Sequence, residues 1–356
     1  MWLLTSTRAV YGRDLLVLRC AILGLGYWGR NYVRVVGERR DAVLVAVCDP
    51  SEDAVEAARA ASADHAPWRV TCDPREVFAA DDIDAVVVAT PATSHFDLVH
   101  EALDAGKHVL SEKPLAMSTD ACRHLVDTAV RAGKTLLVGH TFVYNPAVRA
   151  AKKLVAAGDL GDILHLHAVW SASGPVRHDV NALWDLAPHP ISIMTYLVGR
   201  PTAVSATGQR ILPGDLEDLA TLHLRFGNRA TADIHVSWLG PRKTRMLTIT
   251  GARRVAIFDD MAGPDKLRVY DTAAEDLLLA EPGRISEVFE APAHVPVIPA
   301  SEPLAAQFAH FVECCRLGVT PQGDGLTADD VVGVLEAAHA SLAENGAPIV
   351  LERASA

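Results

Sequence analysis

The 356-residue chain is short of positive charge, with 33 Lys and Arg against 44 Asp and Glu, a formal net charge of −11. Nucleic-acid binders neutralise phosphates with clustered Lys and Arg, so this balance argues against nucleic-acid partners. It suits neutral or cationic small molecules instead. No apolar run approaches the ~20 residues that cross a membrane, and no membrane partner is expected. The six cysteines, Cys20, Cys48, Cys72, Cys122, Cys314 and Cys315, form no C-x-x-C pair. Cys20 and Cys48 lie in apolar runs, and Cys314-Cys315 in an apolar helical stretch, as expected of reduced thiols packed as small core residues in a cytoplasmic protein. There is no internal repeat, no low-complexity linker and no periodic glycine, which excludes fibrous and disordered classes. What remains, 50% hydrophobic and 22% charged, is a globular composition long enough for two domains. Residues 1–18 contain no signal-type apolar core or small-residue cleavage site and are read as an extension ahead of the first strand.

From Arg19 the chain alternates short apolar runs with helical patterns. The runs are Cys20 to Gly24, Val43 to Asp49, Trp68 to Thr71, Ala85 to Thr90, Lys107 to Pro114 and Thr135 to His140. Strands apolar on both sides, separated by helices, predict a parallel sheet covered on both faces, an α/β doubly wound Rossmann domain over residues 19–140. Residues 141–356 read differently. A helix from Pro146 is followed by strands that alternate apolar and polar residues, such as Thr231 to Trp238, and the chain closes with two helices. That pattern predicts a second α/β domain built on a large, mostly antiparallel open sheet.

Gly24-Leu25-Gly26-Tyr27-Trp28-Gly29 is a G-x-G-x-x-G turn between the first strand and a helix. In that context Gly24 permits the tight turn, Gly26 lets a pyrophosphate approach the backbone, and Gly29 lets helix and strand pack closely. Asp49 ends the second strand 25 residues after Gly24, where a carboxylate receives the adenosine ribose hydroxyls and repels a 2′-phosphate. No Arg follows in Pro50-Ser51, so NAD is expected over NADP.

Lys113 lies just past a parallel strand, on the edge where open α/β sheets bind ligands. Asp185 and His189 are four apart, one face of a helix if the turn is helical. A competing reading makes Asp185 an N-cap and His189 a core histidine. If they act, His189 takes a proton near neutral pH, Asp185 fixes its tautomer and Lys113 stabilises a developing alkoxide. The roles of Lys113 and His189 can be exchanged, because a desolvated lysine also serves as base. Tyr144, Asn145, Asp179 and Asn181 are either readers of sugar hydroxyls or turn formers. His165 and His167 share a strand face, but no third ligand stands at a suitable spacing, so no metal is expected.

With Glu112-Lys113-Pro114 in place, the chain resembles the Gfo/Idh/MocA oxidoreductases. The resemblance runs from Arg19 onward through GLGYWGRN, VCDPS, TPATSH, AGKHVLSEKPLA, GHTFVYNPAVR, LVAAGDLGDI and WDLAPHPISI. It implies a Rossmann domain followed by an α/β domain whose sheet joins a homodimer or homotetramer. It also implies catalysis by Lys113, Asp185 and His189. Tyr27, Trp28, Thr90, Pro91, His95, Glu112 and Lys113 are then expected to border the cofactor beside the glycines and Asp49. Lys113, Tyr144, Asn181, Asp185 and His189 are expected to border the substrate. Pro190 stands where the family pattern often has an acidic residue. The segment from Asn181 is most similar to members acting on sugars, including nucleotide-sugar 3-dehydrogenases and enzymes of antibiotic-sugar pathways. The expected reaction is NAD-dependent oxidation of a ring hydroxyl of an NDP-hexose or aminoglycoside sugar, at C3. The rivals are ketosugar reduction, an oxidative-elimination glycosidase and a non-catalytic dinucleotide sensor.

Overall fold

A computed structural model describes residues 17–61, 68–174, 176–227, 229–271, 293–319, 321 and 325–351. Most of the expected N-terminal extension, residues 1–16, lies outside them. Strands β1 (Leu18–Leu23), β2 (Ala42–Cys48), β3 (Arg69–Thr71), β4 (Ala85–Val88), β5 (His108–Glu112) and β6 (Leu136–Gly139) form one sheet. Its order is β3-β2-β1-β4-β5-β6, parallel throughout, the doubly wound Rossmann arrangement. Between the strands run α1 (Tyr27–Gly37), α2 (Glu52–Ala61), α3 (Pro74–Phe78), α4 (His95–Asp104) and α5 (Thr119–Ala132). The hydroxyls of Ser51 and Ser118 accept from the amides of Ala54 and Ala121 and so start α2 and α5.

Strand β4 explains why its sequence is apolar without alternation. Val86 and Val88 belong to one buried cluster, with Leu103 and Leu125 of the adjoining helices. Ala85 and Val87 face the opposite cluster, with Ile22 and Leu110. Burying each such side chain is worth about 1.5–3 kcal/mol for the larger ones, so both faces must be covered.

The remainder comprises α6 (Pro146–Ala156), β7 (Ile163–Ser173), α7 (Ala182–Leu186), α8 (Pro188–Val198), β8 (Pro201–Gln209), β9 (Leu219–Phe226), β10 (Thr231–Ser237), β11 (Leu239–Gly251), β12 (Val255–Asp259), β13 (Leu267–Tyr270), β14 (Ala293–His294), α9 (Pro303–Leu317), α10 (Gly325–Ala343) and β15 (Ile349–Val350). The nine strands pair in the order β14-β13-β12-β11-β7-β10-β9-β8-β15. Only β7 and β10 run parallel, and the other pairs are antiparallel. On β9 the residues Leu222, Leu224 and Phe226 are buried, while the intervening positions meet solvent to varying degrees. Helix α9 returns to the first sheet: its Leu304, Phe308, Phe311 and Val312 complete the cluster that contains Ile22 and Val87. Among the described residues no helix is long and apolar enough to cross a membrane.

One local expectation is corrected here. Asp185 and His189 do not share one helix, because α7 ends at Leu186 and α8 begins at Pro188. Pro188 has no N–H to continue the ladder, so the segment restarts at that residue. Nor is Asp185 an N-cap, since Asn181 fills that role for α7 by accepting from the Trp184 amide at 3.1 Å.

Candidate active site

The glycine turn has the shape its spacing demands. Gly24 adopts φ 85°, and a Cβ there would meet the Ala89 carbonyl oxygen at 2.7 Å. A Cβ on Gly29 would fall 1.8 Å from the Gly24 carbonyl oxygen. Only hydrogen therefore fits at either position. A Cβ on Gly26, by contrast, would meet no protein atom within 4 Å, and α1 begins at the next residue with its first amides free to receive an anion. The Asp49 carboxylate accepts from the Leu25 amide at 2.6 Å and the Ser51 amide at 2.8 Å, which ties the end of β2 to the turn. Each oxygen keeps a lone pair for a ribose hydroxyl. The turn and its acidic neighbour thus fit a dinucleotide.

The loops after β4 and β5 are joined by His95. This buried ring touches the carbonyl oxygens of Thr90 at 2.9 Å and of Pro114 at 2.7 Å. A neutral imidazole donates to only one of them, and burial lowers the pKa of His95. His95 therefore holds the two loops together. The Thr90 hydroxyl accepts from the Ser94 hydroxyl at 2.8 Å, and Pro91 stands exposed at the start of a short 3-10 turn. Tyr27 is exposed and meets the Trp28 ring edge-on at 5.2 Å.

Glu112 ends β5 almost fully buried. It accepts from the Tyr32 hydroxyl at 2.9 Å, and that hydroxyl accepts in turn from Gln307 of α9 at 2.8 Å. Burial raises the Glu112 pKa, and the neighbouring Lys113 opposes the shift. Gly139 lies so close that a Cβ there would approach Glu112 to 3.2 Å.

Lys113 leaves the sheet edge through a cis peptide to Pro114. Its Nζ donates to the main-chain carbonyl of Asp185 at 2.7 Å and lies 3.6 Å from Asp185 Oδ1. The other carboxylate oxygen of Asp185 accepts from the Trp238 indole N–H at 3.1 Å, and Arg177 approaches Oδ1 at 3.8 Å. This corrects the expected pairing of Asp185 with His189. The carboxylate faces Lys113, while His189 Nδ1 is buried without a hydrogen-bond partner among the described residues. Burial lowers the His189 pKa well below the usual imidazole value, and the charges of Lys113 and Arg245 push the same way. The ring packs edge-on against Phe142, centroids 5.1 Å apart. His140 is a second buried imidazole, both of whose nitrogens lack partners among the described residues; burial and then Lys113 push it down to about 4. Burial thus keeps both imidazoles neutral near pH 7.

His189 lines a cavity of about 300 Å³ whose wall includes Tyr27, Trp28 and Asn145. The sheet supplies the facing wall. Asp260 pairs with Lys266 at 2.7 Å and Arg245 at 3.3 Å, and accepts from Asn145 at 3.3 Å. His189 therefore lines the cavity that Tyr27 and Trp28 of the glycine turn also border, while Lys113 is held on Asp185 and its charge acts on His189. Tyr144 and Asn181 are turned to other uses. The buried Tyr144 hydroxyl bonds to His310 at 2.9 Å, and Asn181 donates to Glu217 at 2.8 Å besides capping α7. Asp179 is held by Arg177 at 2.9 Å. The residues that sequence reasoning missed are Arg177, Trp238, Arg245, Asp260 and Lys266. They come from strands and loops far apart in the chain, with no fixed spacing to announce them.

A Rossmann domain with this turn, joined to a sheet domain that shares with it a cavity lined by His189, has a dinucleotide-dependent oxidoreductase architecture. Residues 18–140 match the oxidoreductase family with an NAD-binding Rossmann fold (GFO_IDH_MocA), and residues 148–256 match the GFO/IDH/MocA C-terminal domain. The chain belongs to this family, and its first domain binds NAD. It is 27% identical over 350 residues to the scyllo-inositol 2-dehydrogenase (NAD(+)) of Bacillus subtilis strain 168, covering 94% of this chain and 96% of that protein. It is 30% identical over 227 residues to the 2,7-anhydro-N-acetylneuraminate hydratase of Mediterraneibacter gnavus, covering 60% of this chain and 59% of that one. The crystal structure of GenD2 from gentamicin A biosynthesis in complex with NAD superposes with a TM-score of 0.79 at 25% identity, covering 94% of this chain and 97% of that one. The chain spans about three fifths of the length of some of the curated relatives it matches.

Proposed function

We propose that this protein oxidises a secondary ring hydroxyl of a sugar or cyclitol to a ketone with NAD, and that its substrate is an NDP-hexose or an aminoglycoside sugar. The observation that carries the reading is the Lys113 side chain, held on Asp185 and close enough for its charge to act on His189, which lines the cavity. The chemistry NAD supplies when bound is acceptance of a hydride from the carbinol carbon. Lys113, positioned by the Asp185 carbonyl and carboxylate, donates a hydrogen bond to the reacting oxygen and stabilises the charge that develops there. His189 is neutral at physiological pH and so is free to receive the hydroxyl proton. Asp185, held by Trp238, acts by positioning Lys113. The Asp49 carboxylate favours NAD over NADP.

The similarity to an inositol dehydrogenase over nearly the whole chain supports a polyol substrate, and the likeness to GenD2 supports an aminoglycoside sugar among the choices. The test is incubation with NAD or NADP against NDP-hexoses, aminoglycosides and cyclitols, followed by reduced nicotinamide absorbance. One substrate yielding stoichiometric NADH is expected. The 30% identity to a hydratase favours one second reading, in which oxidation is transient and the hydride returns after elimination. In that case glycoside cleavage proceeds with catalytic NAD and no NADH accumulates.

A further inference from the structure

The outer face of the nine-stranded sheet carries a cluster unrelated to the cleft. His165 and His167 project from one face of β7, as residues two apart on a strand must. The parallel neighbour β10 sets Asp233 opposite His167 and Thr231 opposite His165. Nitrogen and oxygen atoms of His165, His167 and Asp233 all lie within 4.8 Å of one another. We propose that these three residues bind a divalent transition-metal ion of zinc type, through two imidazoles and one carboxylate.

Three features carry this assignment. His165 Nε2 lies 3.4 Å from Asp233 Oδ2, close to the ~3.3 Å between ligands that share a tetrahedral zinc at bonds of about 2.0–2.1 Å. The nitrogen of His167, the remaining exposed ring, lies within 4.8 Å of both. The His165 ring is already oriented, because its Nδ1 lies 2.8 Å from the Thr231 hydroxyl. With that nitrogen donating its proton, the lone pair of Nε2 points at Asp233, the outer-shell arrangement that fixes a metal-binding histidine. The second Asp233 oxygen is held in turn by His223 Nδ1 at 2.8 Å, so the carboxylate is braced as well. Imidazole with one carboxylate is a donor set for zinc and its neighbours, whereas magnesium and calcium prefer all-oxygen shells. Intervening residues Leu166, Ala168, Ala232 and Ile234 point the opposite way into the core, as does Trp170, the register partner of Arg245. The cluster therefore sits across the sheet from the catalytic cavity, and its occupancy is readable without any assay of turnover.

The test is calorimetric titration of Zn2+ into the chelator-stripped, assembled protein, with Co2+ visible absorption reporting coordination. Wild type, His167→Ala and Asp233→Asn are compared, and circular dichroism confirms that the folds match. The expected result is one ion per chain, weakened by roughly tenfold or more in each variant, with no competition from millimolar Mg2+. Absence of a saturable site, equal affinity in folded wild type and Asp233→Asn, or displacement by Mg2+ would overturn the assignment.

Discussion

The Lys113 ammonium rests on the main-chain carbonyl of Asp185 at 2.7 Å, with the carboxylate of the same residue 3.6 Å away. One residue thus fixes the position of the lysine through two of its oxygens. Two domains meet through it, since Lys113 directly follows Rossmann strand β5 and Asp185 belongs to α7, the helix following β7 of the open sheet.

Trp238 is what keeps the Asp185 side chain in place, through its indole N–H at 3.1 Å. Trp238→Phe removes that donor and keeps the ring. Hydrogen bonds to charged groups are worth about 1.5–3 kcal/mol, so turnover should fall by roughly tenfold or more. The Kd for NADH, read from fluorescence, should stay within about twofold.

The glycine turn separates space for the fold from space for the cofactor. Gly29→Ala forces a Cβ against the Gly24 carbonyl and should lower the melting temperature sharply, by a mechanism of overpacking worth about 1–3 kcal/mol or more. Gly26→Ala meets no protein atom, so its melting temperature should match wild type while NADH affinity falls. Thermal melts with and without NADH distinguish the two.

Asp49 is predicted to set cofactor choice. Asp49→Ser removes the repulsion of a 2′-phosphate and should narrow the NAD/NADP preference, measured as the ratio of kcat/KM values. Since Asp49 also accepts from Leu25 and Ser51, overall affinity should fall as well. An unchanged ratio would remove Asp49 from discrimination.

Acid should unfold the protein partly through His140. Its folded pKa of about 4 lies below the ordinary value of 6.5, so the unfolded chain binds more protons between those limits. The resulting stability is fully present above pH 6.5 and is lost as pH falls through 4. Between pH 7.5 and 5 this one group should cost about 2 kcal/mol, at 1.36 kcal/mol per pH unit. Urea melts of His140→Leu should show a correspondingly shallower pH slope than wild type. His189, depressed for the same reason of burial, should contribute in the same direction.

The parallel sheet was legible because strands buried on both faces must be apolar throughout, as Ala85–Val88 are, and because Gly24, Gly26 and Gly29 stand at the one strand–helix junction that needs them. Lys113 was legible from its place past β5. The partnership of Asp185 was not. A spacing of four suggested a bond to His189, but Pro188 interrupts the helix, and the true partners stand 72 residues before and 53 residues after. The same limit hid Asp233, whose place opposite His167 is set by strand register across the parallel pair β7 and β10. Local periodicity fixes elements, whereas a site assembled from several elements depends on pairing that no short window contains.

Lys113 and His189 are proposed to act on one reacting hydroxyl. Once a substrate is identified, the direct measurement is NADH formation by wild type, Lys113→Ala and His189→Ala, with NADH binding measured in parallel. Each variant is expected to lose roughly a hundredfold or more in kcat while still binding NADH. Turnover within a few-fold of wild type in both variants would contradict it.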